Sequence, residues 1–154
     1  MTILKEIGWK EWLALPDLGI PAIKVKIDTG ARTSTLHSFR LDTFKSDNID
    51  MVRFHIHPLR NRTDIEIICE APILDKRIVR DSGGHTEERI VIKSNILLGK
   101  EENSIEITLT SRDDMLFRML LGRTAIQSGG FNVNPARAYL LGKSLKSVYK
   151  NYKL

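Results

Sequence analysis

Apolar side chains recur along this chain mostly at every second position. Ala22-Ile23-Lys24-Val25-Lys26-Ile27 alternates apolar and charged residues, the pattern of a strand with one face buried. Met51 to His57 alternates too, and Ile65-Glu66-Ile67-Ile68-Cys69 nearly does. Arg89 to Lys93 and Ser104 to Thr110 repeat the theme. Turn-forming clusters separate these runs at Asp47-Asn48, Pro58 to Asn61, Ser82-Gly83-Gly84 and Gly99 to Asn103. Short strands so punctuated, without the helices that parallel crossover units need, predict an all-β sandwich or barrel. Two segments read as helix. One follows Leu121-Gly122-Arg123 and stops at Gly129-Gly130; the other is the tail from Leu140, with Lys143, Lys146, Lys150 and Lys153 on a solvated face. No repeat or compositional break divides the chain, so a single domain over residues 1–154 is expected.

Composition narrows the class. A chain of 154 residues, 42% hydrophobic and 28% charged, can bury a real core, and it lies outside the disordered and low-complexity classes. No apolar run is long enough to span a membrane. The opening MTILKEIGWKEW places charges where a secretion signal needs its apolar stretch, so a cytoplasmic location is expected. The net charge of +5 is modest, and Tyr139, Tyr149 and Tyr152 do not form a base-stacking platform, so no nucleic-acid partner is expected. Lysines near the C-terminus and scattered arginines read as a solvated face that would favour acidic peptides electrostatically. The one cysteine, Cys69, excludes an internal disulfide, and its apolar surroundings make it a core residue rather than a nucleophile.

Candidate chemistry centres on Ile27-Asp28-Thr29-Gly30-Ala31, where a strand delivers a carboxylate straight into Thr-Gly. Glycine permits close backbone approach, so a main-chain N–H can reach the carboxylate. Two such carboxylates brought together would share one proton and activate a water. A tripeptide alone is equally a turn after a strand. Met119-Leu120-Leu121-Gly122-Arg123 is the second piece: bulky residues to fill a core, then a glycine that leaves room for a crossing backbone. Asp81-Ser82-Gly83 imitates a second catalytic motif but follows the charged run Lys76 to Arg80, so Asp81 reads as a turn residue. His55-Ile56-His57 puts two imidazoles on one strand face, and His37, His85 or Cys69 could complete a zinc site. Their spacing fits no metal motif, and neither a metal nor a cofactor is expected.

Asp28-Thr29-Gly30-Ala31 together with Leu120-Leu121-Gly122-Arg123 resembles the retropepsin fold, the single-lobe aspartic proteases that act as homodimers. Longer blocks resemble a bacterial and archaeal retropepsin-like (RimB-type) family over roughly residues 7–142. These are Ile7-Gly8-Trp9-Lys10-Glu11-Trp12, Ala14-Leu15-Pro16, Lys26 to Ser34, Val52-Arg53-Phe54, Val79-Arg80, Gly84 to Arg89 and Met119 to Arg123. That family has carried the label of ATP-dependent zinc protease and is often linked to RimK-type ATP-grasp glutamate ligases. The sequence has neither a Walker-type phosphate loop nor His-Glu-x-x-His, so it supports neither half of the label.

The resemblance implies an all-β, retropepsin-like (acid protease) closed barrel with one or two short helices. It implies an aspartic endopeptidase in which Asp28 is catalytic, Thr29 braces the pair across a dimer axis and Gly30 holds the loop close. Ala31 and Arg32 would contact substrate, as would the flap residues Ser82, Gly83, Gly84 and His85. Leu121, Gly122 and Arg123 would support the site. Thr124 stands where an Asn or Asp commonly follows that arginine. The expected partners are a second copy of the chain and a peptide or protein substrate, conceivably glutamate-rich. Two alternatives remain open: a non-catalytic peptide- or partner-binding domain of the same fold, and a zinc-dependent hydrolase.

Overall fold

The structure, a computed structural model, describes residues 5–80, 82–112, 114–142 and 146–150. Six strands close into a barrel: β2 (Lys10–Leu15), β3 (Ile20–Ile27), β4 (Ser34–Ser38), β9 (Thr86–Leu98), β10 (Glu101–Ser111) and β11 (Met119–Leu121). Their order is β10-β4-β11-β3-β2-β9, and β9 pairs back onto β10 to complete the ring. Closure leaves these strands no continuous free edge. This is the all-β closed barrel that the retropepsin-like motifs imply.

The alternating run in β3 works as its pattern requires. Ile23, Val25 and Ile27 point into the core, whereas Lys26 lies on the exposed outer face. Leu13 and Leu15 of β2, Leu36 of β4 and Ile105, Ile107 and Leu109 of β10 join the same core. Removing this apolar area from water is the main stabilising term.

A second layer is the three-stranded sheet β5 (Arg40–Ser46), β6 (Ile49–Ile56) and β7 (Ile67–Pro72). Val52, Phe54 and Ile56 alternate inward, as do Ile67, Cys69 and Ala71. The β5–β6 hairpin turns on two residues, Asp47 at φ 52° and Asn48 at φ 66°. That left-handed pair is the geometry which the strand twist favours in a two-residue hairpin. Cys69 is buried, and burial pushes its thiol up to about 12.

Strand β8 (Asp75–Arg80) pairs with the first half of β9, and register Arg80–Thr86 makes a hairpin whose tip includes residues 82–85. Helix α1 (Arg123–Ser128) ends at Gly129-Gly130, as the sequence signal predicts, and β12 (Phe131–Asn134) then runs parallel to β1 (Lys5–Gly8). Three expectations need correction. The strand expected at residues 65–69 begins at Ile67 and continues to Pro72. The turn expected over Gly99 to Asn103 is shorter, because Glu101 to Asn103 already pair with β9. The tail is not a helix from Leu140: residues 140–141 lie in a turn, and a 3-10 turn covers Lys146–Tyr149. Its ordering contact is with β3: the Tyr149 ring is buried, and its hydroxyl donates to the Ala22 carbonyl and accepts from the Ala22 N–H. Asp81, Lys143 and Lys153 lie outside the described residues.

A buried carboxylate ties the tail to the barrel. Glu11 is fully buried and accepts hydrogen bonds from the backbone N–H of Gly8 at 2.7 Å, Leu140 at 3.0 Å and Leu141 at 3.2 Å. Beside it, Trp9 N–H donates to the Arg137 carbonyl and Tyr139 N–H to the Lys10 carbonyl. Gly8 allows this contact, since a Cβ there would stand 2.3 Å from the Arg137 oxygen. On its other side, the Trp9 carbonyl accepts from Ile27 N–H, one residue before Asp28. Glu11→Ala should therefore leave three backbone donors without their acceptor and lower unfolding free energy by about 3 kcal/mol, measurable by urea denaturation.

Candidate active site

Asp28 stands where β3 ends. Strand β11 runs between β3 and β4, parallel to the first and antiparallel to the second, so the loop of residues 28–33 joins two strands separated by a third. Backbone and side-chain hydrogen bonds fasten that loop onto the β11–α1 junction. Asp28 N–H donates to the Leu121 carbonyl at 2.9 Å, Arg123 N–H to Ala31 at 2.7 Å and Thr124 N–H to Arg32 at 3.0 Å. The Ser34 hydroxyl accepts from Gly122 N–H at 3.0 Å.

Gly122 is required by this crossing. A Cβ at that position would lie 2.6 Å from the Thr33 carbonyl carbon and 2.8 Å from Ser34 N, both backbone atoms that cannot swing away. Leu121, directly before it, is fully buried beside Ile27. The Arg123 guanidinium reaches across to donate to the Thr29 carbonyl at 2.9 Å. Thr124, in place of an amide or acid, donates its hydroxyl to the Arg32 carbonyl at 2.9 Å. A neutral hydrogen bond thus fastens the loop at that position.

The Asp28 carboxylate is half-buried, and its Oδ1 accepts from Gly30 N–H at 3.1 Å. No cation pairs with it among the described residues. It is therefore neither neutralised by a salt bridge nor wholly in bulk water. Thr29, Gly30 and Arg32 are exposed around it, and Ala31 is half-buried. The loop N–H groups hold the main chain rigidly while the acid faces outward, an arrangement that can present a carboxylate to a second reactive group.

Ser82, Gly83, Gly84 and His85 sit together on the exposed tip of the β8–β9 hairpin, with Gly84 at φ 83°. At the hairpin base, Arg77 of β8 donates to Glu106 of β10 at 2.7 Å, and Arg89 of β9 lies 3.4 Å from the Thr35 hydroxyl. The Arg77 guanidinium holds the Glu106 carboxyl below the usual carboxylate range. The β8–β9 hairpin is thus tied to β10 and β4.

The histidines are used elsewhere. His55 bonds Glu66 at 2.6 Å, and the His57 ring stacks on Phe39 with centroids 3.9 Å apart. No group of three metal-ligating side chains occurs among the described residues. Residues whose part in holding the site the sequence reading missed include Ser34 and Glu11, and His37, considered there as a zinc ligand, instead bonds Thr110. Only Ser34 had a local signal, as a small hydroxyl closing the Asp28 block.

His37 lies on the outer face of β4. Its Nδ1 is 2.6 Å from the Thr110 hydroxyl, and the ring is buried. Burial, with Arg89, Arg112 and Arg118 nearby and Asp114 opposing them, pushes its pKa down to about 4.

These features define a single-lobe aspartic-protease architecture carrying one Asp-Thr-Gly loop. The chain belongs to the RimB-like family, described as retropepsin-like aspartic endopeptidase RimB, which it matches over residues 6–144. Relatives named probable alpha-L-glutamate ligase, from Desulfotalea psychrophila and Parasynechococcus marenigrum, are 44% identical over 96% of the chain and 46% identical over 88%. The chain spans about a third of their length, 32% and 29% respectively. A solved structure of a Legionella pneumophila protein of unknown function superposes with TM-score 0.75 at 26% identity, covering 89% of this chain and 98% of that one. No helix among the described residues is long and apolar enough to cross a membrane.

Two outcomes follow from the site. Gly122→Ala should force the Asp28 loop off its support and lower unfolding free energy by about 2–4 kcal/mol in denaturant titrations. For His37, the unfolded chain binds a proton near pH 6.5 while the folded chain resists until about pH 4. Stability should therefore be lost as pH is lowered through that window, by up to roughly 3 kcal/mol. His37→Asn should flatten this part of the stability–pH curve.

Proposed function

We infer that the chain is an aspartic endopeptidase whose active form is a two-fold homodimer with the two Asp28 carboxylates facing each other. The single observation that carries this reading is the Asp28 loop: an unpaired, half-buried carboxylate bound by Gly30 N–H and mounted on the Gly122-Arg123 crossing. One chain contributes one such acid, and the chemistry needs two.

Close carboxylates cannot both ionise, so the pair holds one proton and titrates as a unit. The ionised member takes a proton from a bound water as the water oxygen attacks the scissile carbonyl. The protonated member gives its proton to the carbonyl oxygen, forming a neutral gem-diol. Collapse of that diol breaks the C–N bond: the proton taken from water passes to the leaving amine, and a diol hydroxyl returns a proton to the other carboxylate, which restores the singly protonated pair. No covalent enzyme intermediate forms. Thr29 braces the pair across the axis, Ala31 and Arg32 line the substrate path, and the tip from Ser82 to His85 closes over it as a flap. The basic balance of the chain and the ligase names of its longer relatives support acidic, glutamate-rich peptides as substrates.

The same ligase names support a second reading, a non-catalytic binding domain that serves a ligase. Asp28→Asn separates the two. The endopeptidase reading expects peptide cleavage to fall by at least about a thousandfold, with the dimer preserved in sedimentation. Cleavage unchanged in Asp28→Asn, or a wild-type chain that remains monomeric while cleaving, overturns it.

A further inference from the structure

A cavity of about 300 Å³ lies away from the Asp28 loop on the outer face of the barrel. Its walls include Trp12, Tyr139, Lys24, Arg60, Arg62 and Arg118, and no acidic residue lines it. This volume accommodates one or two side chains rather than a folded element. The cations differ in availability. Arg62 is held bidentately by Asp64, and Arg118 is buried with Nη1 donating to the Met115 carbonyl. Lys24 and Arg60 have no carboxylate within ion-pairing distance among the described residues. The Lys24 ammonium sits 5.7 Å from the centre of the Trp12 ring, and Trp12 is mostly buried. An aromatic wall thus fixes this cation without neutralising it.

The positive charge does not end at the cavity. Lys24 and Lys26 share the outer face of β3, and cross-strand register puts Trp12 beside Lys24 and Lys10 beside Lys26. Lys10 is itself held 4.6 Å from the Trp9 ring and 5.2 Å from the Tyr139 ring. Successive same-face residues on a strand stand roughly 7 Å apart, which equals the spacing of alternate side chains on an extended peptide. Lys26 precedes Asp28 by two residues, so the row leads from the cavity to the catalytic loop over about 13 Å.

We propose that this row is a docking track for an acidic peptide: one carboxylate side chain enters the Trp12–Tyr139 cavity against Lys24 and Arg60, and the next alternate acid meets Lys26 and Lys10. The proposal rests on the endopeptidase reading only for its orientation, because it locates acidic residues about two and four positions from the bond held at Asp28. The track reads charge at alternate positions, and neutral peptides of the same length gain nothing from it. Charge complementarity selects the occupant: four cationic and two aromatic wall residues, no acidic one, and an open extended continuation.

Binding is measured by calorimetry on the full chain carrying Asp28→Asn, so that cleavage does not intervene. The probes are an oligo-glutamate peptide, its glutamine counterpart and inorganic phosphate. The acidic peptide is expected to bind, to weaken as NaCl rises and to lose about tenfold or more in affinity when Lys24→Glu and Arg60→Glu are combined. The milder Lys24→Gln/Arg60→Gln pair should lose several-fold, which holds the test open should the reversal variant melt early. Equal binding by the glutamine peptide, undiminished binding in a folded reversal variant, or displacement by phosphate at equal concentration overturns the track. Charge-dependent binding by a wild-type chain that cleaves nothing supports the track while refuting the endopeptidase; cleavage of acidic peptides indifferent to both substitutions does the reverse.

Discussion

The architecture turns on one steric constraint: three backbone segments must cross within van der Waals contact beneath Asp28. β11 lies between the strands that enter and leave the Asp28 loop, and Gly122 passes so close to Thr33 and Ser34 that no side chain fits. Once that crossing forms, the N–H groups of Asp28, Gly122, Arg123 and Thr124 all find acceptors across it. An unmade bond there would cost the desolvation of a buried donor, so loop and support form together or not at all. The carboxylate is placed by the backbone rather than by a charged neighbour, and this leaves its charge available for chemistry.

The Gly8–Glu11 corner extends the same logic outward. Its backbone holds Ile27 on one side and residues 137–141 on the other, with Glu11 satisfying three donors at once. A buried carboxylate that answers several main-chain donors is a positional device more than a source of net stability. It fixes the end of β3 and the tail as one unit, and so it fixes the height of the Asp28 loop above the barrel. The aromatic rings of Trp9, Trp12 and Tyr139 lie along this corner with Lys10 and Lys24 over their faces. Anchoring and surface charge are therefore built from the same short stretch of sequence.

The β8–β9 hairpin is braced on the barrel as well. Arg77–Glu106 and the approach of Arg89 to Thr35 link the hairpin base to the neighbouring strands β10 and β4. Because these contacts lie at the base, the glycine-containing tip retains its exposure. Motion confined to such a tip would leave the barrel and the Asp28 loop undisturbed.

Legibility in the sequence followed burial. β3, β6 and β10 declare themselves because one face meets a core and the other meets water, which writes alternation into the residues. β8 does not, since a ribbon leaving the barrel buries little of either face and can be charged throughout. β4 fails for the opposite reason. Ser34, Thr35, His37 and Ser38 are all buried, and their polar groups are met by Gly122, Thr108 and Thr110 from neighbouring strands, a pairing with no local signature. The tail misled because its lysine spacing suits a solvated helix, while its ordering contact is Tyr149 against Ala22, 127 residues away. What the sequence alone determined was the β class, the helix stop at Gly129-Gly130 and the two blocks around Asp28 and Gly122, because each is set by residues adjacent along the chain. Tertiary structure alone decided that those blocks cross, that Glu11 secures the tail and that Lys10, Lys24 and Lys26 form a row, because each depends on strands that meet only when the barrel closes.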